Sequence, residues 1–381
     1  MIWQLNRIPL TWKMLTHRLS RLVLSILGIA FAVLLMFMQL GFLTGLFDNQ
    51  TMAIRLFDAD IIITSSARNN LHIEQPFPEI RVRQARDVPG VASTVPLWFE
   101  NGIWKNPTDG KENVMRIIGV DPNDPAFKIK DVVDQATLLR EPDSALFDKA
   151  SRQFFEQVSS GEYTELNRRR MHVVGTFYLG ADFKNDGTAI VGGDTFHRLY
   201  PYTYGMADVG IVRLKPGANL EQVMQALKEA LPSDVQIESR AQYEKLERDF
   251  WSRMTPTGFV FTLGLVVGFV IGVMICYQIL YNEINDHLPQ FATLKAIGFQ
   301  DRYLISVVFK EAIMLAFMGL IPGIIASGIF YAIMKEVSGL HMELTILRVL
   351  LIGSLTIVMC VFSGMLAITR ILKADPAEMF G

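Results

Sequence analysis

The chain has 381 residues, half of them hydrophobic and only 19% charged, which excludes an ordinary water-soluble protein unless the apolar residues are concentrated in segments. A formal net charge of −2 offers no basic surface for nucleic acid. The two cysteines, Cys276 and Cys360, both fall inside apolar runs, so they read as packing residues and supply no disulfide framework.

The apolar residues are indeed concentrated. Runs without a charged side chain occupy Leu22–Phe47, Met254–Asn282, Ala312–Met334 and Val349–Thr369. Each exceeds the roughly 20 residues that a helix needs to cross ~30 Å of hydrocarbon. The fold class expected is a polytopic α-helical membrane protein with four transmembrane helices in a one-plus-three layout. A large α+β domain is inserted between the first two.

Residues 1–21 carry Arg7, Lys13, Arg18 and Arg21 and no acid, which places the N-terminus in the cytoplasm by the positive-inside rule. Trp12, Leu15, Leu19 and Leu22 share one helical face, with Lys13 and Arg21 elsewhere. The spacing predicts an interfacial amphipathic helix carrying Trp12, Lys13, Arg18 and Arg21. A signal peptide is the competing reading, but the apolar run is too long and no small-x-small site follows. Span one, residues 22–47, then delivers residues 48–253 to the far side.

That region is long enough for its own core. Ile61-Ile62-Ile63-Thr64 reads as a buried strand, Pro78–Asp87 as a helix, and Pro89-Gly90-Val91 turns into an extended run reaching about Phe99. Val114–Val120 is a strand stopped by Asp121-Pro122. Residues 131–170 read as charged and more helical, with Phe147, Phe154 and Phe155 as candidate core positions. Strands follow at Met171–Tyr178, Thr188–Val191, Val209–Leu214 and Val235–Glu238. Asn219 and Gln222 make a capping-box-like start to a helix ending at Leu231. The order suggests small split-βαβ units. Arg240–Trp251 reads as a helix running into span two and kinked near Pro256. Paired with the extension of span one through Ile54, Leu56 and Phe57, it forms either a stalk or two ordinary linkers.

Span two, residues 254–282, carries Gly264, Gly268 and Gly272; span three, residues 312–334, carries Gly319, Gly323 and Ser327, with Pro322 as a kink. Small residues at four-residue spacing let helices approach closely in lipid. These ridges fit either a homodimer seam or packing within one chain. Gln39 and Gln278 are polar intruders expected to bond across helices. Residues 335–348 form a short far-side link, 349–369 span four, and 370–381 a cytoplasmic tail. Because no span has an acid or base at its centre, secondary transport driven by a titratable group is disfavoured.

Residues 283–311 form a cytoplasmic loop tied to the membrane at both ends. Pro289 can open a helical turn. Phe291, Leu294 and Ile297 then recur at three-residue spacing, and Gly298 can close the helix in the left-handed conformation. A short stiff helix joined to two spans is a lever, although an ordinary loop resting on lipid has the same spacing.

Ala292-Thr293-Leu294-Lys295-Ala296-Ile297-Gly298-Phe299, with Phe309-Lys310-Glu311-Ala312, resembles the coupling loop of FtsX/MacB-type mechanotransmission permeases of ABC transporters. Its wording is most similar to the DevC-like branch. The tail Ile371–Ala377 and, more loosely, Pro89-Gly90-Val91 and Ile118–Pro122 resemble the same family. Gln290-Phe291-Ala292 stands where many members have Glu-Ile-Gly, so a charge usually offered to the ATPase is missing.

The resemblance implies that Pro289, Gln290, Phe291, Leu294, Lys295 and Gly298 couple the chain to a separate DevA-like ATPase that binds ATP and magnesium. It implies a homodimer in the cell inner membrane, a periplasmic DevB-like membrane-fusion adaptor and a TolC-like outer-membrane duct. The cargo it implies is a lipid, of glycolipid type.

No Gly-x-x-x-x-Gly-Lys-Ser/Thr occurs in the chain, so it lacks the usual phosphate cradle. No Gly-x-Ser-x-Gly elbow is present, and His72, His172 and His197 lack the spacing of a zinc site. No catalytic residue, metal site or cofactor is expected in this chain. Two alternatives share the architecture: an FtsX-like signalling subunit that activates a cell-wall hydrolase, and a permease that extracts lipoproteins.

Overall fold

The computed structural model describes residues 19–68, 70–71, 75–155, 158–182, 184–254, 256–338 and 342–373. The Trp12, Lys13 and Arg18 positions of the expected interfacial helix lie outside them. The chain divides into two compact units. One holds 1–45, 257–337 and 342–381; the other holds 46–256 and 338–341. Among the described residues, four helices are long and apolar enough to cross a membrane. One precedes and three follow a large α+β domain, which is the fold class expected from the sequence.

In the membrane unit the helices are α1 (Leu19–Leu56, whose last turns belong to the domain), α7 (Pro256–Asp286), α9 (Asp301–Ser338) and α10 (Ile346–Lys373). Close approaches fix their relative directions. A Cβ at Gly319 or Gly323 would collide with Ile29 or Val33, and Tyr331 reaches the Phe37 carbonyl. Positions rise together, so α1 and α9 are parallel. Gly264, Gly268 and Gly272 instead face Gln39, Met36 and Ala32, so α1 and α7 are antiparallel. Gly272 faces Met359, Cys276 and Cys360 bring their Sγ atoms to 3.5 Å, and Gly364 faces Leu280; these positions rise together, so α7 and α10 are parallel. The α7–α9 connection therefore lies at the same end of the bundle as the start of α1 and the end of α10.

The domain begins on the last turns of α1. Its elements are β1 (Ile61–Ser65), β2 (Phe77–Pro78), α2 (Ile80–Ala85), β3 (Val91–Lys105), β4 (Glu112–Val120), α3 (Lys130–Gln135) and β5 (Ser144–Asp148). They continue with β6 (Tyr163–Leu166), β7 (Arg169–Phe177), β8 (Thr188–Gly192), α4 (Gly193–Leu199), β9 (Met206–Ala207), β10 (Val209–Leu214), α5 (Leu220–Ala230), β11 (Val235–Ser239) and α6 (Arg240–Asp249). Strands β11, β1, β10 and β3 lie in that order with antiparallel neighbours. With α2 and α5 they complete a split βαβ arrangement.

The helices cover one face through Ile61, Ile63, Val82, Val212, Val223, Leu227 and Ile237. The end of α1 and Tyr243 of α6 cover the other, against Ile62, Val95, Leu97 and Val209. A sheet buried on both faces demands an unbroken apolar run, and Ile61-Ile62-Ile63 supplies it.

Strand β3 outruns its expected end at Phe99 by six residues, since it serves two lobes. Val91–Leu97 pairs with β10, while Trp98–Lys105 pairs with β4. Trp104 and Lys105 also meet β6, which closes β3, β4, β8, β5, β7 and β6 into a ring. The stretch 131–170, expected to be more helical, is mixed: α3 and the 3-10 turns Ala136–Arg140 and Gln153–Phe155 alternate with β5, β6 and the start of β7. Phe147, Phe155, Met171 and Val173 join one core cluster, and Asp148 of β5 is fully buried. Phe154, an expected core residue, is 44% exposed.

Asn219 caps α5 by accepting from the Glu221 and Gln222 N–H groups. The reciprocal box forms instead at α6, between Ser239 and Gln242.

Candidate functional site: the helix between the second and third spans

Helix α8 (Leu288–Ala296) sits between α7 and α9, and each end is closed by local chemistry. Pro289 lies in the first turn, where its missing N–H costs nothing. His287 stands before it, 3.4 Å from Glu283 and 2.9 Å from Gln290 Oε1. At the far end Gly298 has φ +99°. Its N–H donates to Lys295 O, and the Phe299 N–H donates to Leu294 O. Together these two bonds are the Schellman closure. Lys295 also pairs with Asp301 at 3.4 Å, tying the end of α8 to the start of α9.

The helix has an inner and an outer face. Phe291 is only 3% exposed, and Leu304 and Val308 of α9 are fully covered. Leu294 and Lys295 are half-buried, while Pro289, Gln290, Thr293 and Gly298 are exposed. Ile297 is 72% exposed. Phe291 therefore anchors the lever, and the surface open to a partner is Pro289, Gln290, Thr293 and Ile297. Three-residue spacing alone could not separate these roles, since Phe291 and Ile297 lie six positions apart and diverge around the axis.

Glu311, in α9, is 1% exposed, and its Oε1 has no hydrogen-bond partner. In the sequence Glu311 stands out only as part of Phe309-Lys310-Glu311-Ala312. Its position one turn after Val307 and Val308 on an apolar face is the signal that could have marked it.

The glycines of both ridges are used inside the chain. Gly264 lies under the Gln39 amide, Gly268 beside Met36, and Gly272 under Met359, which belongs to α10. Gln39 thus packs over a glycine, whereas Gln278 faces outward, and no cross-helix bond is formed by either among the described residues. Arg21 forms an ion pair with Asp286.

In the domain, the last turns of α1 are held to α6 by four charges. Arg55 Nε donates to Glu244 at 2.7 Å, and Arg248 reaches Asp48 at 3.0 Å. Arg55–Asp48 and Arg248–Glu244 complete the net at 3.6 and 3.7 Å. All four are partly exposed, so each pair is worth little; the set fixes a register. Glu247 is 1% exposed and accepts from Leu71 N and Trp251 Nε1, both at 2.8 Å. Burial pushes its carboxyl up to about 7. A π-helical segment, Phe250–Met254, follows α6 and precedes Pro256, near which the kink was expected.

Two family models match the chain. "FtsX-like permease C-terminal" matches residues 258–376, and "MacB-like periplasmic core domain" matches residues 22–230. No curated protein matches. Among solved structures, the periplasmic region of MacB from Actinobacillus actinomycetemcomitans is similar at 14% identity and TM-score 0.36, covering 50% of this chain and 94% of that one. The extracellular domain of the noncanonic ABC-type transporter YknZ from Gram-positive bacteria is similar at 10% identity and TM-score 0.35, covering 47% and 98%.

Proposed function

Because this chain belongs to the FtsX/MacB-type ABC permeases, integral membrane proteins that work with an ATPase partner, we propose that it acts by mechanotransmission. A separate ATPase grips the outer face of α8 and moves α7 and α9 together. The observation that carries this reading is the two-faced geometry of α8. Phe291 is buried, the Schellman turn closes the end, and Ile297 stands 72% exposed.

A helix anchored inward and capped at its exit transmits a push rather than yielding to it. The basic leader puts α8, the N-terminus and the C-terminus in the cytoplasm, with residues 48–253 in the periplasm and the chain in the inner membrane. Pro289, Gln290 and Ile297 touch the ATPase, which holds ATP and magnesium. Phe291, Leu294, Lys295 and Gly298 keep the lever stiff.

The wider assembly is a homodimer, a DevB-like membrane-fusion adaptor on the periplasmic domain and a TolC-like duct. The cargo is a lipid, of glycolipid type in the DevC-like branch. The large two-lobed domain supports an exporter over a signalling subunit, as it offers far more docking surface than a hydrolase switch needs.

The test is a complex purified with its co-expressed ATPase and reconstituted in lipid. Ile297→Asp abolishes coupled ATP hydrolysis and transport while the chain stays folded in the membrane. Normal turnover in that variant, or crosslinks placing α8 on the periplasmic side, would sink the reading.

A further inference from the structure

A buried line of hydrogen bonds crosses the domain. It starts at Glu247 of α6, which accepts from Trp251 Nε1 and Leu71 N, both at 2.8 Å. The Leu71 carbonyl in turn accepts from Arg68 Nη2 at 2.9 Å. Arg68 Nη1 donates to Asp208 O at 2.5 Å and to Asp208 Oδ1 at 3.3 Å. Asp208 then clasps β3: its Oδ2 accepts from Phe99 N at 3.0 Å, and its N–H donates to Leu97 O at 3.0 Å. Those two residues flank Trp98, where β3 leaves β10 for β4. The line therefore joins the helix that leads towards α7 to the seam between the two lobes. Glu247, Arg68 and Asp208 are only 1–4% exposed.

Charge balance decides what this line can do. Arg68 pairs with Asp208 and Arg116 with Asp182, so two buried cations face two buried anions. Arg68 and Asp182 both act on Glu247 through space. Tyr243, beside it on α6, stays neutral because burial pushes its phenol up. Asp48, Arg55, Glu244 and Arg248, between α1 and α6, are partly exposed and pair among themselves. Ionisation of Glu247 thus adds one buried negative charge that no cation offsets, a costly state. Arg68 is the cation that acts on both carboxylates, and it cannot serve Asp208 and an ionised Glu247 alike. A cavity of about 30 Å³ lined by Arg68, Leu71, Phe99 and Arg116, with Lys184 and Glu100 of opposite sign on its wall, has room for about two waters when the pairing changes.

We propose that Glu247 is a proton switch for the seam between the lobes: protonated, it leaves Arg68 on Asp208 and β3 clasped; ionised, it draws Arg68 away and releases the clasp. Burial holds the Glu247 carboxyl up at about 7, which sets the change near neutrality. A neutral carboxyl still offers both oxygens to Trp251 and Leu71, so the clasped state keeps its hydrogen bonds. The inference goes beyond the proposed function. It concerns the domain alone and its test needs no ATPase, so its failure is distinguishable from a failure of ATP coupling.

The experiment follows hydrogen exchange of the full chain in lipid nanodiscs from pH 5 to 8, resolved by peptide and corrected for the intrinsic pH dependence of amide exchange. Corrected exchange of the β3 peptide holding Phe99 rises with pH and levels off above about 7. The rise is about tenfold for each unit separating the carboxyl's titration points in the clasped and released states. In Glu247→Gln, which stays neutral, the same peptide is protected throughout. In Asp208→Asn, Arg68 has no second carboxylate to leave, so β3 exchange is independent of pH; this variant decides the matter if Glu247→Gln does not fold. A β3 response that persists in either variant overturns the switch. So does a response of the full chain confined to α6 and the Leu71 peptide, with β3 unaffected.

Discussion

Tyr331 lies directly over Gly41: a Cβ built there would stand 2.6 Å from the phenol Cζ, while the phenol hydroxyl donates to Phe37 O at 2.5 Å. Gly41 is thus a seat for an aromatic ring, and α1 and α9 meet through it. Gly41→Ala forces the ring out and costs about 1–3 kcal/mol, the usual penalty for overpacking. Tyr331→Ala removes the obstacle. The double variant is therefore less destabilised than the two single losses added together. Thermal unfolding in detergent reads all three; strict additivity would contradict the contact.

The glycines of α9 and α10 are not equivalent. Gly323→Ala brings a Cβ to 2.6 Å from Val33 Cγ1 and 3.2 Å from the Ala30 carbonyl oxygen, whereas the nearest atom to a Cβ at Gly353 is Leu320 Cδ2 at 3.5 Å. Gly323→Ala lowers the unfolding temperature. Gly353→Ala leaves it unchanged or raises it, since alanine favours a helix by about 1 kcal/mol over glycine. The pair of melting curves checks the bundle geometry without any functional assay.

Gly298 makes a conformational demand rather than a steric one. Nothing lies within 4 Å of a Cβ there, yet φ is +99°. Gly298→Ala costs about 1 kcal/mol through backbone strain and loosens the Schellman closure. Coupled ATP hydrolysis falls while ATPase binding is kept, as co-purification with the ATPase would show. Loss of binding in this variant would instead place Gly298 at the contact surface.

Glu247 makes the domain pH-sensitive. Its carboxyl is pushed up to about 7 from 4.5, chiefly by burial, against the Trp251 and Leu71 hydrogen bonds and Arg68, which lower it. Between those values the folded state holds a proton that the unfolded chain has released. Stability from this group is thus complete below about pH 4.5 and is lost as pH rises through about 7. The loss is of order 3 kcal/mol. Glu247→Gln, permanently neutral, flattens that slope. Hydrogen exchange of α6 in the full chain from pH 5 to 8 measures it, and an unchanged slope in the variant would exclude Glu247 as the cause.

Much of this was legible in the sequence because the bilayer imposes a length and a polarity on any segment that crosses it. The charge-free runs marked the spans, and Pro289 and Gly298 marked the ends of α8, since both residues act through local backbone geometry. The run Ile61-Ile62-Ile63 announced a strand buried on both faces. The charged stretch 131–170 was legible only in part: its helical turns were expected, while β5 and β6, four or five residues each, are too short to show an alternation.

What the sequence determined by itself was local: which segments are apolar enough to cross, where a helix can begin or end, and the one-plus-three order. Only the tertiary structure decided that Phe291 turns inward and Ile297 outward, that Cys276 meets Cys360, and that the glycine ridges are filled from within. Those outcomes depend on which faces of distant helices meet, and pairings between faces far apart in the chain leave no trace in the spacing of either one alone.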